Sequence, residues 1–165
     1  MRRPKLDPLD RKILKMLQDN GRMTNVELAQ NLGLSAPPCL RRVRALEESG
    51  YIRGYHARLN ASALGYTLTV FTLVSLSSHA DADLQHFSTL VESWPQVVEC
   101  YMLAGDYDFL LKVVAKNWDE YQDFLTTTLT AAPNIAHVKS TMTVRKTKFV
   151  TGVPVPMDET ADTGK

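Results

Sequence analysis

The stretch Thr24-Asn25-Val26-Glu27-Leu28-Ala29-Gln30-Asn31-Leu32-Gly33-Leu34-Ser35, running on into Cys39-Leu40-Arg41-Arg42-Val43-Arg44-Ala45-Leu46, decides the fold of the first third of this chain. Thr24 followed three residues later by Glu27 has the form of a capping box, in which each side chain satisfies the other residue's free backbone N–H. Leu28, Ala29 and Leu32 recur at helical spacing, and Ala29 is small where a second helix must come close. Gly33 stands where a helix ends and the chain needs positive φ. A second helix follows, with arginines on one face. Helix, tight turn and second helix make a helix-turn-helix, whose second helix can lie in a DNA groove. The competing reading is a plain helical hairpin in a bundle.

Charge favours the first reading. The chain is formally +1, but residues 1–60 hold twelve Lys/Arg against six Asp/Glu, and residues 61–165 hold seven against twelve. A basic block beside an acidic one points one end at a polyanion.

The second helix of the motif starts near Ala36-Pro37-Pro38. Prolines lack an N–H and fit only a first turn. With Ser35 as N-cap, Pro37 and Pro38 fall where its hydroxyl would find donors, so Ser35 cannot cap in the usual way; its hydroxyl is either free for a phosphate or merely solvated. At about 100° per residue, Cys39, Val43 and Leu46 share one stripe and form the buried side. Arg41 and Arg44 lie opposite and are the candidates to enter a groove, where the planar guanidinium can grip guanine or phosphate with two bonds. Arg42, on the flank, meets backbone phosphates or a neighbouring acid such as Glu47.

Upstream, Asp7-Pro8-Leu9-Asp10 opens a helix with an Asp cap, a Pro in the first turn and a second acid there. Leu9, Ile13, Met16 and Leu17 form its stripe, and Asn20-Gly21 ends it. Downstream, Tyr51-Ile52-Arg53-Gly54-Tyr55-His56-Ala57-Arg58-Leu59 has strand chemistry with basic outward positions, as in a small wing. Arg53 and Arg58 are phosphate contacts on that reading and solvated linker residues on the other.

The remainder is β-rich. Residues 67–76 are apolar on both faces, with Leu68, Val70, Val74 and Leu76 on one and Phe71 and Leu73 on the other. A helix follows over 81–94. Strands at 97–104 and 109–116 flank the turn Gly105-Asp106-Tyr107-Asp108. Asn117 and Glu120 cap a helix carrying Trp118, Tyr121, Phe124, Leu125 and Leu129, ended by Ala132-Pro133-Asn134, and a long strand is expected over 135–150. Strand-helix-strand twice is the ferredoxin-like βαββαβ plan. Two helices cover one face of such a sheet, so the other apolar face must meet something else, most simply a second copy. The fold class is therefore α+β, an N-terminal winged-helix-like helix-turn-helix domain (1–50) joined by a linking strand (51–66) to a C-terminal ferredoxin-like domain (67–150). Residues 151–165, with two prolines, three acids and little apolar content, read as a flexible tail.

Length and composition bound the rest. A chain of 165 residues, 44% hydrophobic, suits one medium domain or two small ones. No run of 18 apolar residues and no leader pattern is seen. Cys39 and Cys100 lack metal-ligand spacing and read as reduced, buried thiols. The four histidines match no metal motif.

Three stretches together resemble the Lrp/AsnC (feast/famine) family, its leucine-responsive branch in particular: Asn25-Val26-Glu27-Leu28-Ala29; then Pro38 through Glu47 with Gly50-Tyr51-Ile52-Arg53-Gly54-Tyr55; and Gly105-Asp106-Tyr107-Asp108. The resemblance spans residues 6–150. It implies a cytoplasmic transcription regulator that binds double-stranded DNA, with dimers formed through the linking strands and the second-domain sheets and assembled into octamers. It implies an amino-acid effector held between dimers, at Leu103, Gly105, Asp106, Asp108, Trp118, Thr141, Met142 and Thr143, and neither a metal nor another cofactor. The candidate DNA contacts, read from the residues themselves, are Ser35, Pro37, Arg41, Arg42, Arg44, Arg53 and Arg58. The chain departs from the family where leucine-responsive members carry bulkier apolar residues than Thr141 and Thr143, and where Pro37-Pro38 replaces a Pro-x-Pro spacing. The chemistry suits a free amino acid: Asp106 or Asp108 accepts from the ammonium, and N–H groups near Gly105 with the hydroxyls of Thr141 and Thr143 meet the carboxylate. On residues alone the hairpin reads first as a plain turn. Two rival functions stand beside this one: an enzyme subunit, for which no nucleophile–base pair, metal set or phosphate loop is visible, and an architectural DNA-binding protein that ignores amino acids.

Overall fold

In the computed structural model, which describes residues 5–150 and 152–157, three helices form where the sequence carries start signals. α1 (Pro8–Asp19) is capped by Asp7, whose Oδ1 accepts from the Asp10 N–H at 2.8 Å while Asp10 Oδ2 accepts from the Asp7 N–H at 3.2 Å. α2 (Asn25–Leu32) repeats the device with Thr24 and Glu27, and Gly33 ends it in the left-handed region at φ 67°. α3 (Ala36–Glu48) follows Ser35, whose side chain makes no cap bond, because Pro37 and Pro38 remove the two N–H groups it would take. Ile13, Leu17, Leu28, Ala29, Cys39, Val43 and Leu46 close one core, with Leu6, Tyr51 and Ile52 packed against it.

A second core lies under a four-stranded antiparallel sheet. β1 (Leu68–Leu76), α4 (Asp81–Glu92), β2 (Val97–Met102), β3 (Phe109–Ala115), α5 (Trp118–Asp123) and β4 (Ile135–Met142) follow in order, and the strands lie as β2-β3-β1-β4. This is the split βαβ arrangement. Val70, Val74, Leu111 and Val113 point under the helices and pack with Phe87, Val91, Tyr121 and Phe124. Tyr121 fastens α5 to two strands at once: its Oη shares hydrogen bonds with Thr72 Oγ1 at 2.9 Å and with Ser140 Oγ. α5 is capped by Asn117, which accepts from the Glu120 N–H at 2.9 Å, and continues as a π-helical turn over Phe124–Leu129. Asn134 then reverses the chain at φ 64°.

The opposite face of the sheet carries Phe71 and Leu73 from β1 and Leu110 and Val114 from β3, all half-buried in the single chain. Beside them run Tyr101 and an ion pair between Lys112 and Glu99.

Four expectations change. The last strand was expected over 135–150 and ends at Met142; the Thr143 N–H still reaches Thr69 O at 3.0 Å, but β1 begins at Leu68, so the β1–β4 ladder runs out there. Segment 51–66, expected as a linking strand, has no ladder partner among the described residues, and Ser62–Leu64 closes into a 3₁₀ turn; a strand needs a second strand to take its backbone groups. Cys39 is buried, but Cys100 is exposed, because it sits on the edge strand β2. Of the expected flexible tail, residue 151 and residues 158–165 lie outside the described residues, while Val153 and Pro156 are hydrogen-bonded to α1.

The chain divides into two compact units. One comprises the residues up to Arg58 together with those from Lys148 onward; the other is Leu59–Thr147.

Candidate functional site

α3 divides its residues by face. Cys39, Val43 and Leu46 are buried, while Pro37, Arg41, Arg44 and Ala45 are exposed together on the other side. Arg41 and Arg44 lie three apart and so sit one above the other on that face. Ser35 and Pro37 lie exposed at the same helix's start. This is the form of a groove-reading helix, apolar behind and forked cations in front.

Arg42 belongs to neither face. Its Nη1 donates to Asp7 Oδ2 at 2.6 Å and to Asp10 Oδ1 at 2.7 Å; of the two expected kinds of partner, a phosphate or an acid, the chain itself supplies acids, in an ion pair that hangs α3 from the first turn of α1. The expected acid, Glu47, instead accepts from Tyr55 Oη at 3.0 Å. Asp7 and Asp10 were read as cap residues alone. A box built from two carboxylates uses one oxygen of each, and the other two are spare acceptors; that surplus was the visible signal. Burial pushes the Asp7 carboxyl up, but the Asp10 N–H and the Arg42 guanidinium more than offset this and hold it below its ordinary 3.8. A depressed folded value stabilises the fold above the ordinary value and loses that contribution as pH falls through the folded one. Acid unfolding of the helical unit is therefore expected to soften below about pH 4, and Asp7→Asn to flatten that limb. An unchanged acid limb in Asp7→Asn, followed by circular dichroism, contradicts the assignment.

Arg53 is exposed. Arg58 is exposed too, but its guanidinium lies 4.1 Å over the Phe149 ring.

The second candidate site is dispersed. In the hairpin, the Asp108 carboxylate accepts from the Leu76 N–H at 2.7 Å and lies 3.2 Å from His79 Nε2; its own N–H donates to Val74 O, and its carbonyl accepts from the Leu103 N–H at 2.8 Å. Asp108 thus pins the hairpin to the Leu76 end of β1. Asp106 is exposed, and its carboxylate has no hydrogen bond among the described residues. Gly105 does not have positive φ, and a Cβ there would meet nothing within 4 Å. The space beside Gly105 is therefore open in the single chain.

Thr141, Met142 and Thr143 lie at the other end of β1, opposite Phe71, Val70 and Thr69. Trp118, half exposed, follows β3 at that same end. From Val74 to Thr69 at about 3.3 Å per residue is roughly 17 Å, so one small ligand cannot touch both groups in one chain. Thr141 and Thr143 share the open face of the sheet, and Met142 shares the helix face with Val70. The Thr143 hydroxyl donates to Thr69 O at 3.0 Å, which leaves Thr141 as the hydroxyl with a hydrogen to offer. Among the described residues no cluster of His, Cys, Asp or Glu could hold a metal ion, and no helix is long and apolar enough to cross a membrane.

Two family models match, one described as winged helix-turn-helix DNA-binding over residues 6–53 and one as the Lrp/AsnC ligand binding domain over residues 69–153. The leucine-responsive regulatory protein of Rhizobium meliloti (strain 1021) is 54% identical over 146 residues, covering 88% of this chain and 94% of its own. The chain belongs to the Lrp/AsnC family. The Bkd operon transcriptional regulator of Pseudomonas aeruginosa is 43% identical, with 91% and 98% covered. A transcriptional regulator from Neisseria meningitidis, solved as an L-Met complex, superposes with a TM-score of 0.86 at 35% identity, with 91% and 97% covered. As an Lrp/AsnC protein the chain is a DNA-binding transcription regulator and not an enzyme, and its two units are the DNA-binding and ligand-binding parts of that family.

Proposed function

We propose that this regulator reads double-stranded DNA with the exposed face of α3 and changes its DNA affinity or assembly when a free amino acid binds its sheet unit, working in the cytoplasm where the DNA is. The observation that carries the second half is the separation along β1. Asp106 beside an unfilled Gly105 offers an acceptor for an ammonium at one end, and Thr141 with Trp118 offers a hydroxyl and a ring at the other. A pocket using both needs two chains. The half-buried apolar face of Phe71, Leu73, Leu110 and Val114 supplies the reason for chains to meet, and a homodimer that assembles further, to an octamer, satisfies both. The L-Met bound to the Neisseria regulator supports the class of ligand.

A thermal-shift screen of the twenty amino acids, followed by gel shifts with and without the one that stabilises, tests this reading. One or a few amino acids are expected to raise the melting temperature and change operator affinity by about 5- to 150-fold. Leu110→Glu, placing charge on the open sheet face, is expected to shift sedimentation toward monomer and weaken that amino acid's binding with it. Broad DNA binding untouched by all twenty means an architectural protein instead.

A further inference from the structure

α1 has a second face. Ile13 and Leu17 point into the helical core, but Arg11, Leu14 and Gln18 follow one another at helical spacing along the flank, and Arg11 is only 3% exposed. The chain's own C-terminal segment covers them. Gln18 Nε2 donates to Val153 O at 2.8 Å, and Gln18 Oε1 accepts from the Val153 N–H at 3.1 Å. Three residues on, Pro156 O accepts from Arg11 Nη1 at 2.9 Å. A side-chain amide that pairs with both backbone groups of one residue does the work of a neighbouring β-strand. Pro154 and Pro156 hold φ near about −65° and supply no N–H, so the segment arrives straightened with few donors to satisfy. Gly152 turns the chain at φ 98° against the Gln18 side chain.

This segment also follows β4 along the chain. The chain leaves the DNA-binding unit after Arg58 and returns to it at Lys148, and the Arg58–Phe149 contact staples these two crossings together on the DNA-binding side. The two units are thus joined by two crossings of the chain, and the second of them is anchored on α1. α1 in turn holds α3 through Asp7, Asp10 and Arg42. From β4 to the reading helix there is thus an unbroken run of covalent chain, hydrogen bonds and ion pairs.

We infer that the Arg11–Leu14–Gln18 face of α1 is a docking site for the chain's own residues 152–157, and that the docked segment is a second tether through which the ligand-binding unit acts on the DNA-reading helix. The tether's regulatory role rests on the amino-acid response proposed above; the docking does not.

The test uses the full-length protein, Gln18→Ala, and a chain stopped after Val150. Hydrogen exchange is expected to show the Val153 amide protected in the wild type and released by about tenfold or more in Gln18→Ala, the loss expected from two hydrogen bonds, while core amides of α1 stay protected. Operator binding without ligand and amino-acid affinity are expected to stay within about threefold in both variants, because neither touches those surfaces. The ligand-induced change in operator affinity is expected to shrink by at least about fivefold. A Val153 amide that exchanges at the free-peptide rate in the wild type overturns the docking. An undiminished ligand effect on DNA in both variants overturns the tether. If the wild type binds no amino acid, the effector reading fails and the tether's role falls with it, while the exchange data still decide the docking.

Discussion

Asp108→Ala is expected to unfasten the hairpin and abolish amino-acid binding together, and Asp108→Asn to restore most of both. The Asp108 carboxylate accepts the Leu76 N–H at 2.7 Å, and Leu76 is buried. Removing the acceptor leaves a donor unpaired at the edge of the core, at a cost of about 1–3 kcal/mol, and frees the loop that carries Gly105 and Asp106. Asn keeps an oxygen in the same place without the charge, so it separates anchoring from direct contact. Asp106→Ala is the reverse case. Its carboxylate has no partner to lose within the described chain, so the melting temperature is expected to hold while ligand binding weakens by about 2–5 kcal/mol, the loss for one partner of a desolvated charge pair. Melting curves and calorimetry, with whichever amino acid stabilises the wild type, read all three variants. Asp108→Asn that melts like the wild type yet binds nothing means that the Asp108 charge itself meets the ligand.

The three arginines of α3 are expected to separate in the same way. Arg41→Ala and Arg44→Ala should weaken a specific site by about 1–3 kcal/mol, the range for a lost bidentate base contact, with no change in melting temperature. Arg42→Ala should lower the stability of the helical unit, because two carboxylates of α1 lose their shared cation. With the pair part-exposed, about 1–2 kcal/mol is expected rather than the larger loss of a fully buried one. Its DNA binding should fall on specific and random DNA alike, and recover at lower temperature where the unit stays folded. Gel shifts on both DNA types, beside melting curves, decide it; Arg42→Ala that melts normally and loses specificity alone means that Arg42 reads bases.

What the sequence made legible was what is decided within a turn or two of the residue concerned. Thr24 with Glu27, Asp7 with Asp10, and Asn117 with Glu120 announced their helices, and Pro37-Pro38 announced a Ser35 without a cap bond. The alternation along β1 sorted Val70 and Val74 from Phe71 and Leu73 correctly. What stayed hidden was settled at a distance. Arg42 finds acids 32 and 35 residues away, Asp108 finds an N–H 32 residues away, and the C-terminal segment finds Arg11 and Gln18 at separations of 145 and 135. Gly-Val-Pro-Val-Pro has no helical or strand period, so nothing local distinguishes a docked segment from a loose one. The end of β4 depends on where β1 begins, which composition does not state. The placement of the candidate ligand residues at opposite ends of β1 followed only from strand register.

The division of labour on α3 has a consequence for how such regulators diversify. Folding of the helical unit rests on Cys39, Val43 and Leu46 behind the helix and on Arg42 at its flank, whereas the side chains of Pro37, Arg41, Arg44 and Ala45 are exposed and make no hydrogen bond or ion pair among the described residues. Substitutions in the second set are nearly neutral for stability, so a duplicated copy of this gene can drift to a new operator through soluble, folded intermediates at every step.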